Sequence, residues 1–331
     1  MGLGCTLVCV KRQRTIYTLL AVLLLLCALA AALHLRQKAP PEAARLLPES
    51  DAIAFVNLKP LRLATHFDRD PISTSSFRDF IDATGILPER DLDAVAVGLH
   101  RMADPSGPNG PVGFSEVFEG RFDRPRLERY LLTHSGPVEH YTTHTIYSLA
   151  SEGRTVRVAV LGYDMVAASN MPTAEQIHSM LDRQRAAASP FAGASLLADR
   201  YADVPAFASA WAIGRIALPF ALNGRVTVMG LELPLPADTT FVASLRYTTA
   251  LRLRIDEVAP TEQAAAESAR SLTNLLRLVR DVQRSQQPVA RTPEDQAMRQ
   301  FVDSIEVEAR ENRATLTGTV PTEALREWSG K

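Results

Sequence analysis

Residues 261–320 read TEQAAAESARSLTNLLRLVRDVQRSQQPVARTPEDQAMRQFVDSIEVEARENRATLTGTV. Ala265, Ala269, Leu272, Leu275, Leu276, Val279 and Val282 recur at helical spacing, opposite Arg270, Arg277, Arg280 and Arg284, which predicts a helix from about Thr261 to Gln286. Gln287-Pro288 ends it, because proline lacks the N–H that a continuing helix needs. Thr292-Pro293 reads as the N-cap and first residue of the next helix. The period then changes from 3.6 to 2: Ser304–Arg310 and Arg313–Val320 read as strands around a turn at Glu311-Asn312. A long helix leading into a hairpin within one stretch indicates an α+β fold with mainly antiparallel sheets.

The same alternation extends back along the chain. Ala52–Leu58, Leu92–His100 and Val112–Phe122 read as strands, with a helical stretch near Ser76–Ile81 and a turn-forming segment at Asp104–Gly110. Asp123 reads as an N-cap with Pro125 in the first turn, and Leu127, Tyr130 and Leu131 share one helical face. Strands follow near Tyr141–Leu149, Thr155–Leu161 and Met165–Ala168. Thr173 with Gln176 forms a capping-box pattern before a helix whose buried face is Ile177, Met180 and Leu181. Ala186–Gly193, small and flexible in composition, divides a first α+β module at 48–190 from a second at 191–331. Ala206–Arg215 and Thr240–Ile255 supply the strands of the second. Residues 112–185 and 240–328 share an order of elements that suggests two copies of one module.

Toward the N-terminus, Ile16–Leu33 reads IYTLLAVLLLLCALAAAL, 18 uncharged residues of which eight are leucine. At 1.5 Å per residue this just spans the hydrocarbon of a bilayer, so residues 16–35 read as a transmembrane helix. Lys11, Arg12, Arg14 and the α-amine precede it, against Arg36 and Lys38 after it. That surplus places residues 1–15 in the cytoplasm and the rest of the chain outside. Residues 36–47, with Ala39-Pro40-Pro41-Glu42, read as a spacer, and the fold should begin near Leu47. Ala28-Leu29-Ala30 and Ala30-Ala31-Ala32 also fit a cleaved signal peptide, which exports the same body, but the apolar run is longer than a usual signal core. Leu24–Cys27 resembles a lipoprotein box only superficially, since Leu26 directly before the cysteine is too bulky. Met1-Gly2 with Thr6 matches a myristoylation pattern only formally.

Composition narrows the function. Residues 39–331 hold 31 basic and 37 acidic side chains, a net charge of −6, without the clustered Lys and Arg that phosphate binding needs, so nucleic acid is excluded as a partner. Cys5, Cys9 and Cys27 are the only cysteines, so the exported body has no disulfide, thiolate metal site or cysteine nucleophile. Only four basic residues are lysine and alanine is abundant, which suggests a GC-rich bacterial genome.

Pro48–Val56, Phe118–Phe122, Thr145–Ser148, Ile305–Glu308 and Thr315–Pro321 together resemble exported bacterial proteins that share a domain of unknown function. The resemblance spans most of residues 47–325 and rests on short structural motifs. It implies an extracytoplasmic location and no particular site residues, because that family has no established activity.

Chemistry-bearing patterns are sparse. His134, His140 and His144 lie close in sequence, yet in a strand the last two are about 13 Å apart, too far to share one metal ion. No Gly-x-Ser-x-Gly, phosphate-cradling glycine loop or His-Glu-x-x-His occurs. Asp91 with Asp93 and Asp68 with Asp70 read as solvated or capping acids, and Arg252 with Arg254 as one face of a solvated strand. The most unusual stretch is Ile216–Pro236. Ile216, Leu218, Phe220 and Leu222 alternate before Asn223-Gly224, and Val226 and Val228 after it, the pattern of an edge hairpin. Phe220, Leu222, Asn223, Gly224 and Val226 are therefore the candidate partner contact, although closure over its own core explains the same pattern. No catalytic, metal or cofactor-binding residues and no cofactor are expected. The sequence reads as a single-pass inner-membrane protein whose periplasmic body binds or scaffolds an envelope protein, with an envelope hydrolase built from distant residues as the alternative.

Overall fold

Alternating apolar residues and apolar stripes become strands and helices in a computed structural model that describes residue 22 and residues 39–69, 78–107, 110–151, 153–186, 193–215, 226–228, 231–233, 239–247, 250–286 and 293–320. The chain divides into two compact units, Met1–Ala39 and Pro40–Lys331. The expected membrane helix at 16–35 lies outside the described residues except for Val22. Among the described residues no helix is long and apolar enough to cross a membrane.

In the second unit the strands are β1 (Ala52–Asn57), β2 (Leu92–Arg101), β3 (Val112–Gly120), β4 (Val138–Tyr141), β5 (His144–Ser151), β6 (Arg154–Val160), β7 (Met165–Ser169), β8 (Ala210–Arg215), β9 (Val226–Val228), β10 (Leu231–Leu233), β11 (Thr240–Tyr247), β12 (Leu251–Val258), β13 (Glu306–Arg310) and β14 (Arg313–Val320). The helices are α1 (Glu42–Leu46), α2 (Leu58–Thr65), α3 (Arg78–Thr84), α4 (Pro88–Asp91), α5 (Arg124–His134), α6 (Glu175–Arg185), α7 (Ser195–Arg200), α8 (Glu262–Gln286) and α9 (Pro293–Ser304).

Twelve strands form one antiparallel sheet in the order β13-β14-β12-β11-β8-β1-β2-β3-β7-β6-β5-β4. Mixed helix and antiparallel strand is thus as expected. The sheet is continuous across the expected division at 186–193, because β1 pairs with β8, Ala54 facing Ala212. About this central pair the two halves correspond. β1-β2-β3 form a meander, α5 crosses, and β7 returns beside β3; β8-β11-β12 form a meander, α8 and α9 cross, and β14 returns beside β12. The spans that share this strand order are 52–169 and 210–320, which start earlier than the 112–185 and 240–328 compared in the sequence.

One face of the sheet is closed by α1, α6 and α7. Ile53 and Phe55 of β1, Trp211 and Ile213 of β8, and Ala96 and Val117 point into this core, against Ile177, Met180 and Leu181 of α6. These three helix residues are the stripe expected from the sequence, and each contributes about 1.5–3 kcal/mol by leaving water. The stretch expected as a spacer belongs to the folded body from Glu42 onward. Ala43, Ala44, Leu46 and Leu47 are all buried, because α1 lays this small apolar face on β2 and β3. Helix α6 starts one turn position later than the capping-box pattern implies: its N-cap is Ala174, without a side-chain bond. Instead, the Arg157 guanidinium donates to the carbonyls of Met171, Pro172 and Thr173 at 2.8–3.4 Å and fixes the approach to the helix.

The opposite face carries Leu127 and Leu131 of α5 and Ile86 over Tyr147, Val158, Val160 and Val166. In the second half α8 and α9 pack on β13 and β14. The Arg280 guanidinium of α8 donates to the carbonyls of Val302, Asp303 and Ile305 at the end of α9, where a cation offsets the helix dipole. Both sheet edges are short, and β13 carries Glu306, Glu308 and Arg310, which discourages edge-to-edge pairing with other chains.

Candidate functional site

A cleft of about 250 Å³ opens where β1 and β8 meet α7, lined by Glu49, Ser50, Asp51, Ser195, Leu196, Asp199 and Arg215. Its floor follows from the segment Pro48-Glu49-Ser50-Asp51 that feeds β1. The Ser50 hydroxyl donates to the Pro48 carbonyl at 2.9 Å, and it fits because Gly98 of the neighbouring strand has no Cβ, which would stand 2.5 Å away. Asp51 is held on both sides of β1. Its N–H donates to the Leu99 carbonyl at 2.9 Å, its Oδ2 accepts the Arg101 N–H at 2.8 Å, and its carbonyl accepts the Arg215 N–H at 3.3 Å.

Glu49 reaches from there to the start of α7. Its Oε2 accepts the Ser195 N–H at 3.0 Å and the Ser195 hydroxyl at 2.8 Å, while Oε1 accepts from the Arg183 guanidinium at 2.8 Å. Burial pushes the Glu49 carboxyl up, but the Ser195 and Arg183 hydrogen bonds outweigh it and leave it below the usual carboxylate range. Glu49 is therefore an ionised brace for α7 and a weak base. Asp199 and Arg215, by contrast, make no side-chain hydrogen bond or ion pair among the described residues, so opposite charges line the cleft uncommitted. This arrangement suits reversible binding of a small polar or charged group.

Behind the cleft lies a buried polar chain. His100 Nε2 is 2.9 Å from the Ser115 Oγ, which is 3.3 Å from the Ser169 Oγ, and the Ser169 hydroxyl donates to the Phe114 carbonyl at 3.3 Å. Burial depresses the His100 imidazole below its usual value, opposed by the Asp51 charge and a hydrogen bond with the Glu49 backbone. Asp51, His100 and Ser115 thus lie in the sequence order of some hydrolytic triads. Ser115 is 0 % exposed and His100 5 %, so both groups are closed off from solvent. The neutral ring contributes stability above pH 6.5, its ordinary value, and that contribution is lost as pH falls below it. His100→Gln is expected to narrow the difference in unfolding free energy between pH 7 and pH 5, measured by urea denaturation; an unchanged difference would show that His100 is not the group titrating.

The residues singled out from the sequence have other positions. Phe220, Leu222, Asn223 and Gly224, with the turn expected at Asn223-Gly224, lie outside the described residues. Val226 opens β9 and pairs with Leu233 of β10, which touches α8. His140 and His144 stand on adjacent strands, since the stretch expected as one strand turns at Thr142, whose φ is 56°. His144 Nδ1 is 3.3 Å from the Val160 carbonyl and His134 stacks on Tyr130. Among the described residues no group of three His, Cys, Asp or Glu side chains is placed to hold a metal ion. Asp91 accepts the Leu87 N–H at 2.9 Å and pairs with Arg90, Asp93 pairs with Lys59 and Arg62, and Arg254 is bound to Asp256, so these charges serve local structure. Asp70 lies outside the described residues. The cleft residues were invisible as a set because they come from three distant segments. Their nearest signal was the acidic Pro48–Asp51 stretch just before the first strand.

No protein-family model matches the chain, and no curated protein matches it. Among solved structures the chain is similar to crystal form III of TP0453, at 12 % identity and a TM-score of 0.47 over 88 % of this chain and 99 % of that one. It is similar also to crystal form I of TP0453, at 11 % identity and a TM-score of 0.46 over 87 % of this chain and 96 % of that one.

Proposed function

We propose that the chain is a single-pass inner-membrane protein of a bacterial envelope, with residues 1–15 in the cytoplasm and its α+β body in the periplasm, and that this body is a binding or scaffolding module. The observation that carries the reading is the uncharged run Ile16–Leu33 with Lys11, Arg12 and Arg14 before it. Lipid takes up such a run as a helix, and the basic flank stays on the cytoplasmic side. Binding is favoured by the cleft, where Asp199 and Arg215 offer charge on a frame set by β1, β8 and α7. Protease added to intact spheroplasts is expected to digest the body; a body that survives until the membrane is ruptured overturns the reading.

An envelope hydrolase is the second reading, favoured by the 2.9 Å contact between His100 and Ser115 beside Asp51. Its weakness is the burial of both groups. Ser115→Ala separates the two: under the binding reading it lowers stability by about 1–3 kcal/mol, by leaving His100 short of a partner, and changes no ester or peptide hydrolysis. Loss of a hydrolytic activity in that variant would establish the hydrolase.

A further inference from the structure

Glu257 stands where the sheet otherwise wants an apolar side chain. It is 1 % exposed, in the row Phe241·Glu257·Ala314 across β11, β12 and β14. The corresponding row in the first half is Val95·Phe118·Val166, apolar throughout. Helix α8 meets the carboxyl through Ser268, which is 2 % exposed and donates its hydroxyl to Glu257 Oε1 at 2.8 Å, and Ala265 and Ala269 are buried on the same side of the helix. Glu257 Oε2 is buried without a hydrogen-bond partner among the described residues.

Among the described residues no charge faces this carboxyl from the elements around it. On its side of the sheet stand Leu253 and Ile255 of β12, Phe241 and Ala243 of β11, and Ala314 and Leu316 of β14. The inward stripe of α8 offers Ala265, Ser268 and Ala269, all buried, and the half-buried Leu272. Arg254 and Asp256 lie on the opposite side of β12, bound to each other, with Thr315 donating to Asp256 at 2.7 Å; Arg313 points the same way and pairs with Asp203. Among the described residues a carboxylate here would have one hydrogen bond and no counter-ion, and burial of such a charge is costly.

We infer that Glu257 is a proton-operated latch: as the neutral acid it lets the first turns of α8 lie on β12, and on ionisation it lifts them from the sheet. Burial pushes the Glu257 carboxyl above its ordinary 4.5, against the opposing Ser268 hydrogen bond. A raised value in the docked state means that docking is fully favoured below pH 4.5 and weakens as pH rises through the raised value. The latch is a regulatory device of the fold and does not depend on the membrane or binding reading above.

The test is hydrogen exchange on the full chain in detergent at pH 5 and pH 8, corrected for intrinsic rates and read at the α8 amides of 264–272. Between these two pH values the native chain should lose protection there by about tenfold for each pH unit by which the docked value exceeds 5. Glu257→Gln, which keeps the neutral shape, should be protected equally at both pH values. Glu257→Leu, matching the apolar character of Phe118 in the other half, should behave likewise and serves if the amide disturbs folding. A native chain with no pH-dependent change in α8, or variants that keep the same change, overturns the proposal.

Discussion

Trp211→Ala lowers the unfolding free energy by about 3–5 kcal/mol, the expected cost of emptying a fully packed indole site. Trp211 is 4 % exposed on β8, stacked on Phe55 of β1 with ring centroids 5.7 Å apart and edge-on to Tyr201 at 5.3 Å. It therefore joins both central strands to the segment that follows α7. Few neighbours can collapse into the space, because β1 and β8 are fixed on either side by β2 and β11. Trp211→Phe keeps a ring against Phe55 and should recover more than half of the stability that the alanine variant loses. Urea denaturation of the purified chain measures both, and a loss under about 1 kcal/mol for the alanine variant would mean that the seam between the halves is held elsewhere.

Gly120→Val should cost about 3 kcal/mol, near the upper end of overpacking effects. The reason is an irregularity in pairing: Leu92 faces Gly120 but Ala94 faces Glu119, so Asp93 is an extra residue in β2. The bulge brings the Asp91 backbone onto Gly120. A Cβ there would collide with the Asp91 carbonyl oxygen and stand 3.1 Å from Phe122 Cζ. That carbonyl cannot yield easily, because it accepts the Arg121 N–H at 2.9 Å, and Gly120 itself donates to Asp164 at 2.8 Å. Gly136→Ala is the matched control, since the nearest atom to its added Cβ is 3.8 Å away. The control should be neutral within about 0.5 kcal/mol; equal losses in the two variants would remove the clash as the cause.

How much the sequence revealed depended on whether the signal was local. The α8 stripe and the hairpin after it were legible almost to the residue: β14 occupies Arg313–Val320 as read, and α8 starts at Glu262 beside the expected Thr261. Asp123 caps α5 through the Arg126 N–H at 3.2 Å, again as read, because a cap is decided within four residues. Thr173 failed as a cap because the tertiary donor Arg157 fixed the preceding carbonyls. Glu42–Leu46 was mistaken for spacer because five residues show no period; their burial is decided by β2 and β3. The cleft was hidden for the same reason, since nothing near Glu49 announces that Ser195 and Arg183 will meet its carboxylate.

The antiparallel seam of β1 against β8 has a consequence for how this chain folds and how it can be cut. The seam joins residues far apart in sequence, so it closes only after a large loss of chain entropy, and contact order of this kind slows folding. Until it closes, each half presents an open flank made of Ala, Ile and Phe or Trp, able to template another strand. A fragment ending between β7 and β8 therefore keeps a sticky border that the intact polypeptide conceals, and any division of the body for expression trades solubility for size.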